Sequence, residues 1–257
     1  LRGTMAKRGQ SSRVAALARA ALERVRWETE LGVAGYPPAS PAATAAEPRA
    51  SSDADPAAEL EKLCEEIGDC TRCPLHAGRT RLVFGEGGAR PLLALVGEGP
   101  GREEDASGRP FVGAAGQLLD RILAAIGLGR GDVYICNVVK CRPPGNRAPE
   151  PEEAEVCARF LRRQLEILAP EVIVTLGASA ARTLLETEQP VGRLRGRFHD
   201  YRGVPLMPTY HPAYLLRNAG AKRPVWEDMK QVRDRLGLAP VSPGTARAPA
   251  AGGGPDR

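Results

Sequence analysis

Four short apolar runs constrain this chain more than any other feature: Leu92–Val96, Val133–Val139, Val172–Leu176 and Val204–Met207. Each has few charges and many β-branched residues, the composition of strands covered on both faces. Helical patterns lie between them. Gln117–Ile126 carries Leu118, Leu119, Ile122 and Leu123 on one face. Pro151–Leu168 opens on Pro and acidic residues and runs through Val156, Phe160 and Leu165. Ala178–Glu186 follows Gly177, and Trp226–Leu236 closes the unit. Strand alternating with helix predicts an α/β fold, a three-layer α/β/α sandwich around a central, mostly parallel four-stranded sheet. Ligands of such sheets bind beyond the carboxyl ends of the strands, so a site is to be sought there.

The folded unit is expected over residues 59–238. Ahead of it, residues 11–31 read as a helix with Val14, Leu17, Leu22 and Val25 as a partial apolar face. Residues 32–58 have the Ala, Pro, Ser and Asp composition of a linker, so residues 1–58 are expected to form a flexible extension. Residues 239–257 read as a disordered tail. The net charge of +5 leans towards a polyanionic partner, and only five of the 36 basic residues are lysines. A GC-rich genome produces the same arginine bias. No run of about 18 apolar residues predicts a membrane span. No apolar segment follows the first basic residues, so no signal peptide is expected and the chain is assigned to the cytosol. There its six cysteines read as metal ligands or buried thiols rather than disulfides.

Three strand ends hold chemically suggestive residues. The first runs into Gly97-Glu98-Gly99-Pro100-Gly101 and then Arg102-Glu103-Glu104-Asp105. The glycines make a tight turn that a ligand can approach, but no Gly-Lys-Ser/Thr follows, so this is no P-loop. Its carboxylates suit handling water or a developing cation better than cradling phosphate. The second run carries Asn137, whose amide offers a donor and an acceptor together, as the edge of a base requires. The fourth leads to His211, stiffened by flanking prolines. A carboxylate, an amide and an imidazole at neighbouring strand ends form a site-like set.

Cys70-x-x-Cys73 is followed by Cys141 and Cys157, which can complete one four-thiolate site. Spacing alone does not separate tetrahedral zinc from an iron–sulfur cluster. Cys136, inside a strand, reads as a core thiol, and Cys64 as a bystander on a helix over residues 59–67.

Together these motifs resemble family 4 uracil-DNA glycosylases. The segment from Gly97 to Asp105, with Gly108–Gly113 and Ala115–Leu119, is similar to that family's first motif. Asn137 with Lys140–Arg147 is similar to its second, and His211–Arg217 to its last. The resemblance spans about residues 60–236. It implies a [4Fe–4S] cluster on Cys70, Cys73, Cys141 and Cys157. It implies that Phe111 stacks on a uracil flipped out of DNA, that Asn137 reads the uracil edge, and that the Gly99 backbone touches the base. His211 would stabilise the uracil anion, and Glu98 would position water or stabilise the sugar cation, with Glu104 and Asp105 as rivals. Leu215 or Leu216 would fill the gap left by the base while Arg217 holds a phosphate, and Arg142 and Arg147 would contact the DNA backbone. The implied partner is uracil-containing DNA, single- or double-stranded, bound by a monomer.

Other readings remain open at this point. A metal-stapled nucleic-acid-binding protein would keep the arginines and cysteines without needing Glu98, Asn137 and His211 together. A cluster-bearing redox protein would need no base-reading Asn. A covalently DNA-linking relative would use a His in a basic loop, here His199 after Arg193–Arg197.

Overall fold

The computed structural model describes residues 55–240. The expected helix over residues 11–31, most of the linker and the tail from residue 241 lie outside the described residues.

The four apolar runs form β2 (Leu93–Gly97), β3 (Val133–Asn137), β4 (Val172–Leu176) and β6 (Val204–Thr209). They pair in parallel in the order β3-β2-β4-β6. The sheet nevertheless has six strands rather than the four expected. β1 (Glu86–Gly87) adds antiparallel to β3, and β5 (His199–Tyr201) adds antiparallel to β6. Both sit at edges and are too short to carry a hydrophobic pattern, so the sequence gives no sign of them.

Alternate residues of the parallel strands feed two separate cores. Ala94, Val96, Cys136, Ile173 and Leu206 meet Leu161 and Leu165 of α4 (Pro151–Leu168) and Leu184 of α5 (Ala178–Leu185). Leu93, Leu95, Ile135, Val174 and Met207 meet Leu119 and Leu123 of α3 (Ala114–Ala125) and Val225, Met229 and Val232 of α8 (Lys222–Arg235). One core on each face is the packing consequence of strands apolar on both sides. α1 (Pro56–Ile67) extends the first layer, where Leu63 and Ile67 cover Phe160 of α4. Cys136 is fully buried in this packing and Cys64 is exposed on α1.

Three helices were too short to show periodicity in the sequence: α2 (Arg102–Ser107), α6 (Val191–Leu194) and α7 (Pro212–Arg217). α2 follows β2, and α7 follows β6. Parallel pairing aligns Gly97 with Asn137 and Leu176 with Thr209, so these strand ends and the short helices after them share one edge of the sheet.

That edge is tied to α8 by a buried carboxylate. Asp228 is fully buried and accepts bonds from Arg195 Nε (3.0 Å), Arg195 Nη2 (2.7 Å) and the Thr209 hydroxyl (2.5 Å). Removing it strands a cation and a hydroxyl in a closed site. Asp228→Ala is expected to cost about 3–5 kcal/mol of stability, measured by urea denaturation at neutral pH. A loss below about 1 kcal/mol would show that the tie is replaceable by water.

Candidate active site

A cavity of about 530 Å³ opens at this sheet edge, a volume ordinary for a small-molecule or base pocket. Glu98, Gly99, Phe111, Asn137, Gly177 and His211 line it, so the residues that the sequence singled out at three strand ends share one site.

The floor depends on the absence of a side chain at Gly97. A Cβ there would lie 2.6 Å from Phe111 Cζ and would also strike the Asn137 amide oxygen. Hydrogen at this position lets ring and amide converge. Asn137 is 1% exposed, and its Oδ1 has no hydrogen-bond partner among the described residues. A buried acceptor left open in this way is costly unless a ligand fills it.

Phe111 adopts φ 53°, a left-handed backbone that bulky residues avoid. Glu104 holds the chain on its far side. Its Oε1 accepts from the N–H of Val112 (2.9 Å) and Gly113 (2.9 Å), and its Oε2 accepts from the N–H of Gly101 (3.1 Å). Asp105 accepts from the N–H of Thr80 at 2.8 Å. Both rivals to Glu98 are thus engaged with backbone amides. Glu98 itself is half-buried at the pocket wall. Burial pushes its carboxyl above the ordinary range, and a bond from the Ser179 hydroxyl pulls part of the way back. Ser179, in the first turn of α5 behind Gly177, carries no motif and was not singled out from the sequence.

His211 caps α7 with its own ring, Nδ1 accepting from the N–H of Ala213 at 3.1 Å. That bond requires an unprotonated Nδ1, so the neutral ring carries its proton on Nε2. Burial, followed by the nearby Arg217 cation, pushes the pKa down to about 4, against an upward pull from Glu104. The imidazole is therefore neutral at physiological pH. Its ring centroid lies 5.5 Å from that of Phe111.

The rim separates the two leucines. Leu215 is 2% exposed and packs beneath α7, whereas Leu216 is 50% exposed and borders the cavity beside Tyr214 and Arg217. Arg147 borders it too, but its guanidinium forks onto Glu153 with two bonds of 2.8 Å. Arg142 turns to Asn146 Oδ1, 2.7 Å away. His199 lies on edge strand β5, with Nε2 2.8 Å from the Leu194 carbonyl, and is not part of the cavity lining.

The four expected metal-binding cysteines line one small cleft with Arg72, Lys140 and Phe160. N–H groups surround their sulfurs: Arg72 Nη1 on Cys70 at 3.3 Å, Arg79 Nη1 on Cys141 at 3.5 Å and the Lys140 amide on Cys157 at 3.4 Å. Burial raises the Cys70 thiol, but hydrogen bonds from Arg72 and the charges of Arg72 and Arg79 outweigh it, leaving its pKa lowered. Donors of this kind suit a thiolate-bound group. Among the described residues, no three His, Cys, Asp or Glu side chains converge closely enough to hold a single metal ion.

Comparison with known proteins agrees with this geometry. Residues 84–230 match the Uracil DNA glycosylase superfamily. A type-4 uracil-DNA glycosylase of Thermotoga maritima is 48% identical over 178 residues, covering 68% of this chain and 93% of the relative. Its counterparts from Pyrobaculum aerophilum (45% over 179 residues; 66% and 91% covered) and Archaeoglobus fulgidus (43% over 186 residues; 69% and 94% covered) are similarly close. The family match over residues 84–230 and relatives 43–48% identical over most of their own length lead to one conclusion: this chain belongs to the uracil DNA glycosylase superfamily, alongside the type-4 enzymes.

Proposed function

We propose that this chain excises uracil from DNA, hydrolysing the N-glycosidic bond and leaving an abasic site for repair. The observation that carries the reading is Asn137 Oδ1, a buried acceptor without a partner among the described residues, on a side chain lining a cavity that also holds an aromatic ring and a neutral imidazole. Uracil offers its N3–H to that oxygen and its O4 to the amide nitrogen. Cytosine offers the reverse pattern, so a fixed amide rejects it. The names of the type-4 relatives support the same activity.

The target base must leave the stack to enter the cavity, where Phe111 stacks on it and the Gly99 backbone lies alongside. The C1′–N1 bond then breaks. The electron pair leaves with uracil, whose charge gathers on O2, and the sugar becomes oxocarbenium-like. His211 donates its Nε2–H to that oxygen and, being neutral, gives up no proton. The ionised carboxylate of Glu98 stabilises the cation, orients the water that adds to C1′ and takes its proton, which then passes to the departed uracil anion. Glu104 and Asp105, occupied by backbone amides, fix the loop.

On the DNA side, Leu216 fills the gap left by the base and Arg217 holds a phosphate, with Tyr214 beside them. Leu215 supports them from the core. Arg142 lies on the same loop for a backbone contact, and Arg147 combines such a contact with anchoring α4 through Glu153.

Cys70, Cys73, Cys141 and Cys157 would hold a [4Fe–4S] cluster, which supplies a rigid cross-link between three chain segments when bound. Zinc is the weaker alternative, since a single ion at about 2.3 Å from each sulfur needs tighter convergence. The hydrolysis transfers no electrons, so these thiolates serve the fold. The reading takes the chain to act as a monomer, on uracil in single- or double-stranded DNA. No helix among the described residues is long and apolar enough to cross a membrane. Cysteines serving as cluster ligands, with Cys64 and Cys136 left as thiols, fit a reducing, cytosolic location. A covalent link through His199 is not favoured, because that ring lies outside the cavity lining.

Three outcomes test this reading on an oligonucleotide carrying one uracil, with alkaline cleavage of abasic sites as the assay. His211→Ala is expected to lower kcat by about 10²–10³; wild-type turnover in the folded variant would remove His211 from the chemistry. The acid limb of kcat/KM belongs to Glu98. Its pKa is raised and its ionised form is the active one, so activity falls as pH drops through a value above the ordinary Glu range. Glu98→Gln should lose that limb together with most of the activity, and a limb that persists there belongs to another group. Leu216→Ala should weaken excision from duplex while sparing single strands, whereas Leu215→Ala should cost about 2–5 kcal/mol of stability. Equal behaviour of the two variants on both substrates would refute the assignment of the wedge.

A further inference from the structure

Arg130 lies outside the cavity, in the 3₁₀ turn Arg130–Asp132 that leads into β3, yet it is bonded to the backbone of Phe111. Its Nη1 donates to the Phe111 carbonyl at 3.0 Å, and its Nη2 donates to the Pro110 carbonyl at 2.6 Å. Two carboxylates aim the guanidinium: Asp120 of α3 at 3.0 Å and Glu86 of β1 at 3.1 Å. Glu86 is itself forked by Arg109 at 2.7 and 2.9 Å. Four acceptors thus fix one planar group, a use for which arginine is suited and lysine is not.

The group it holds is strained. Phe111 keeps a left-handed backbone that an aromatic residue adopts only when its surroundings enforce it. Glu104 enforces it on the carboxyl side through the N–H groups of Val112 and Gly113. Gly116 leaves room for the Phe111 carbonyl, against which any Cβ would collide. Arg130 spans the residue, binding the carbonyl of Pro110 on its amino side and the carbonyl of Phe111 itself on its carboxyl side. With the backbone held at both ends, the ring has one approach to Gly97 and Asn137.

We propose that Arg130 is a positioning residue for excision: its guanidinium, aimed by Glu86 and Asp120, locks the Phe111 backbone so that the ring is already set to stack on the flipped base. Preorganisation of this kind is felt in the rate, because a misplacement of about 1 Å in a reacting complex can cost about 100-fold. The inference rests on the assignment of Phe111 as the stacking residue.

A double-mutant cycle on a single-stranded uracil oligonucleotide tests it, using full-length, cluster-loaded protein at a temperature where circular dichroism shows each variant folded. Arg130→Ala should lower kcat/KM roughly 10- to 100-fold, and Arg130→Lys, which keeps the charge but loses the fork, should fall between. In a Phe111→Ala background the same Arg130→Ala change should cost less than about twofold, because the residue through which it acts is gone. A merely structural arginine would impose its full penalty in both backgrounds, and that result would overturn the proposal. So would wild-type activity in folded Arg130→Ala. If Phe111→Ala alone excises normally, the stacking assignment fails and the clamp fails with it. If Phe111→Ala is impaired and Arg130→Ala is not, the clamp alone fails. Should Arg130→Ala not fold, Asp120→Asn serves the same cycle, with a smaller loss expected in the wild-type background and none beside Phe111→Ala.

Discussion

The parallel pairing of β2 with β3 sets Gly97 beside Asn137, and only a hydrogen atom fits between the amide of one and the ring of Phe111. The site follows from that contact. It sets an aromatic ring and a hydrogen-bonding amide side by side in the pocket, as the proposed stacking and edge-reading of a base require. Because the strands are buried on both faces, the sheet beneath cannot shift without disturbing two cores. The amide is thus held by the packing of the whole domain. Rigidity here is what turns an acceptor without a partner into a filter, since a mobile Asn would turn to suit either pyrimidine.

The electrostatics divide the work between two groups whose surroundings push them in opposite directions. Burial disfavours charge on both His211 and Glu98. For the imidazole this keeps a neutral ring, and the Ala213 amide selects the tautomer that aims a proton into the cavity. For the carboxylate it leaves an anion that is poorly solvated before reaction and gains most when a cation forms beside it. In the proposed reaction the same desolvation would supply a donor for the departing base and a counter-charge for the sugar.

Behind Asn137, the thiol cleft and the base-reading strand share a polar network. Lys140 is fully buried; its Nζ donates to the Asn137 carbonyl at 2.9 Å and to Gln164 Oε1 at 2.6 Å. Gln164 in turn donates to the Phe84 carbonyl at 3.0 Å and meets the Tyr134 hydroxyl at 3.1 Å. Cys141 follows Lys140 directly, and Cys157 accepts from its amide. The segment that carries one of the proposed cluster thiols and donates to a second therefore also fixes the end of β3, four residues before Cys141. Ordering the thiol cleft and ordering the base-reading edge are the same structural task, although the hydrolysis uses no electrons.

The parts of this arrangement that were legible in the sequence are those written in contiguous residues. The four buried strands appear as unbroken β-branched runs, and α4 appears with its Pro151 start and its end at Leu168. Glu98, Asn137 and His211 were found because each follows or ends such a run. The edge strands β1 and β5 were missed because two or three residues carry no period. The choice between Leu215 and Leu216 was closed to the sequence, since α7 is too short for a face to be assigned, and burial separates them. Glu104 and Asp105 stand in the sequence as rivals to Glu98, and only their long-range backbone partners set them apart. Arg130 was invisible for a different reason. It acts on Phe111 from 19 residues away and takes its aim from Glu86, 44 residues away. Polar ties of that span depend on where the fold brings two chain segments together, and no local pattern records them. A strained residue such as Phe111 is where they are to be expected, because its own sequence neighbourhood disfavours the conformation that it holds.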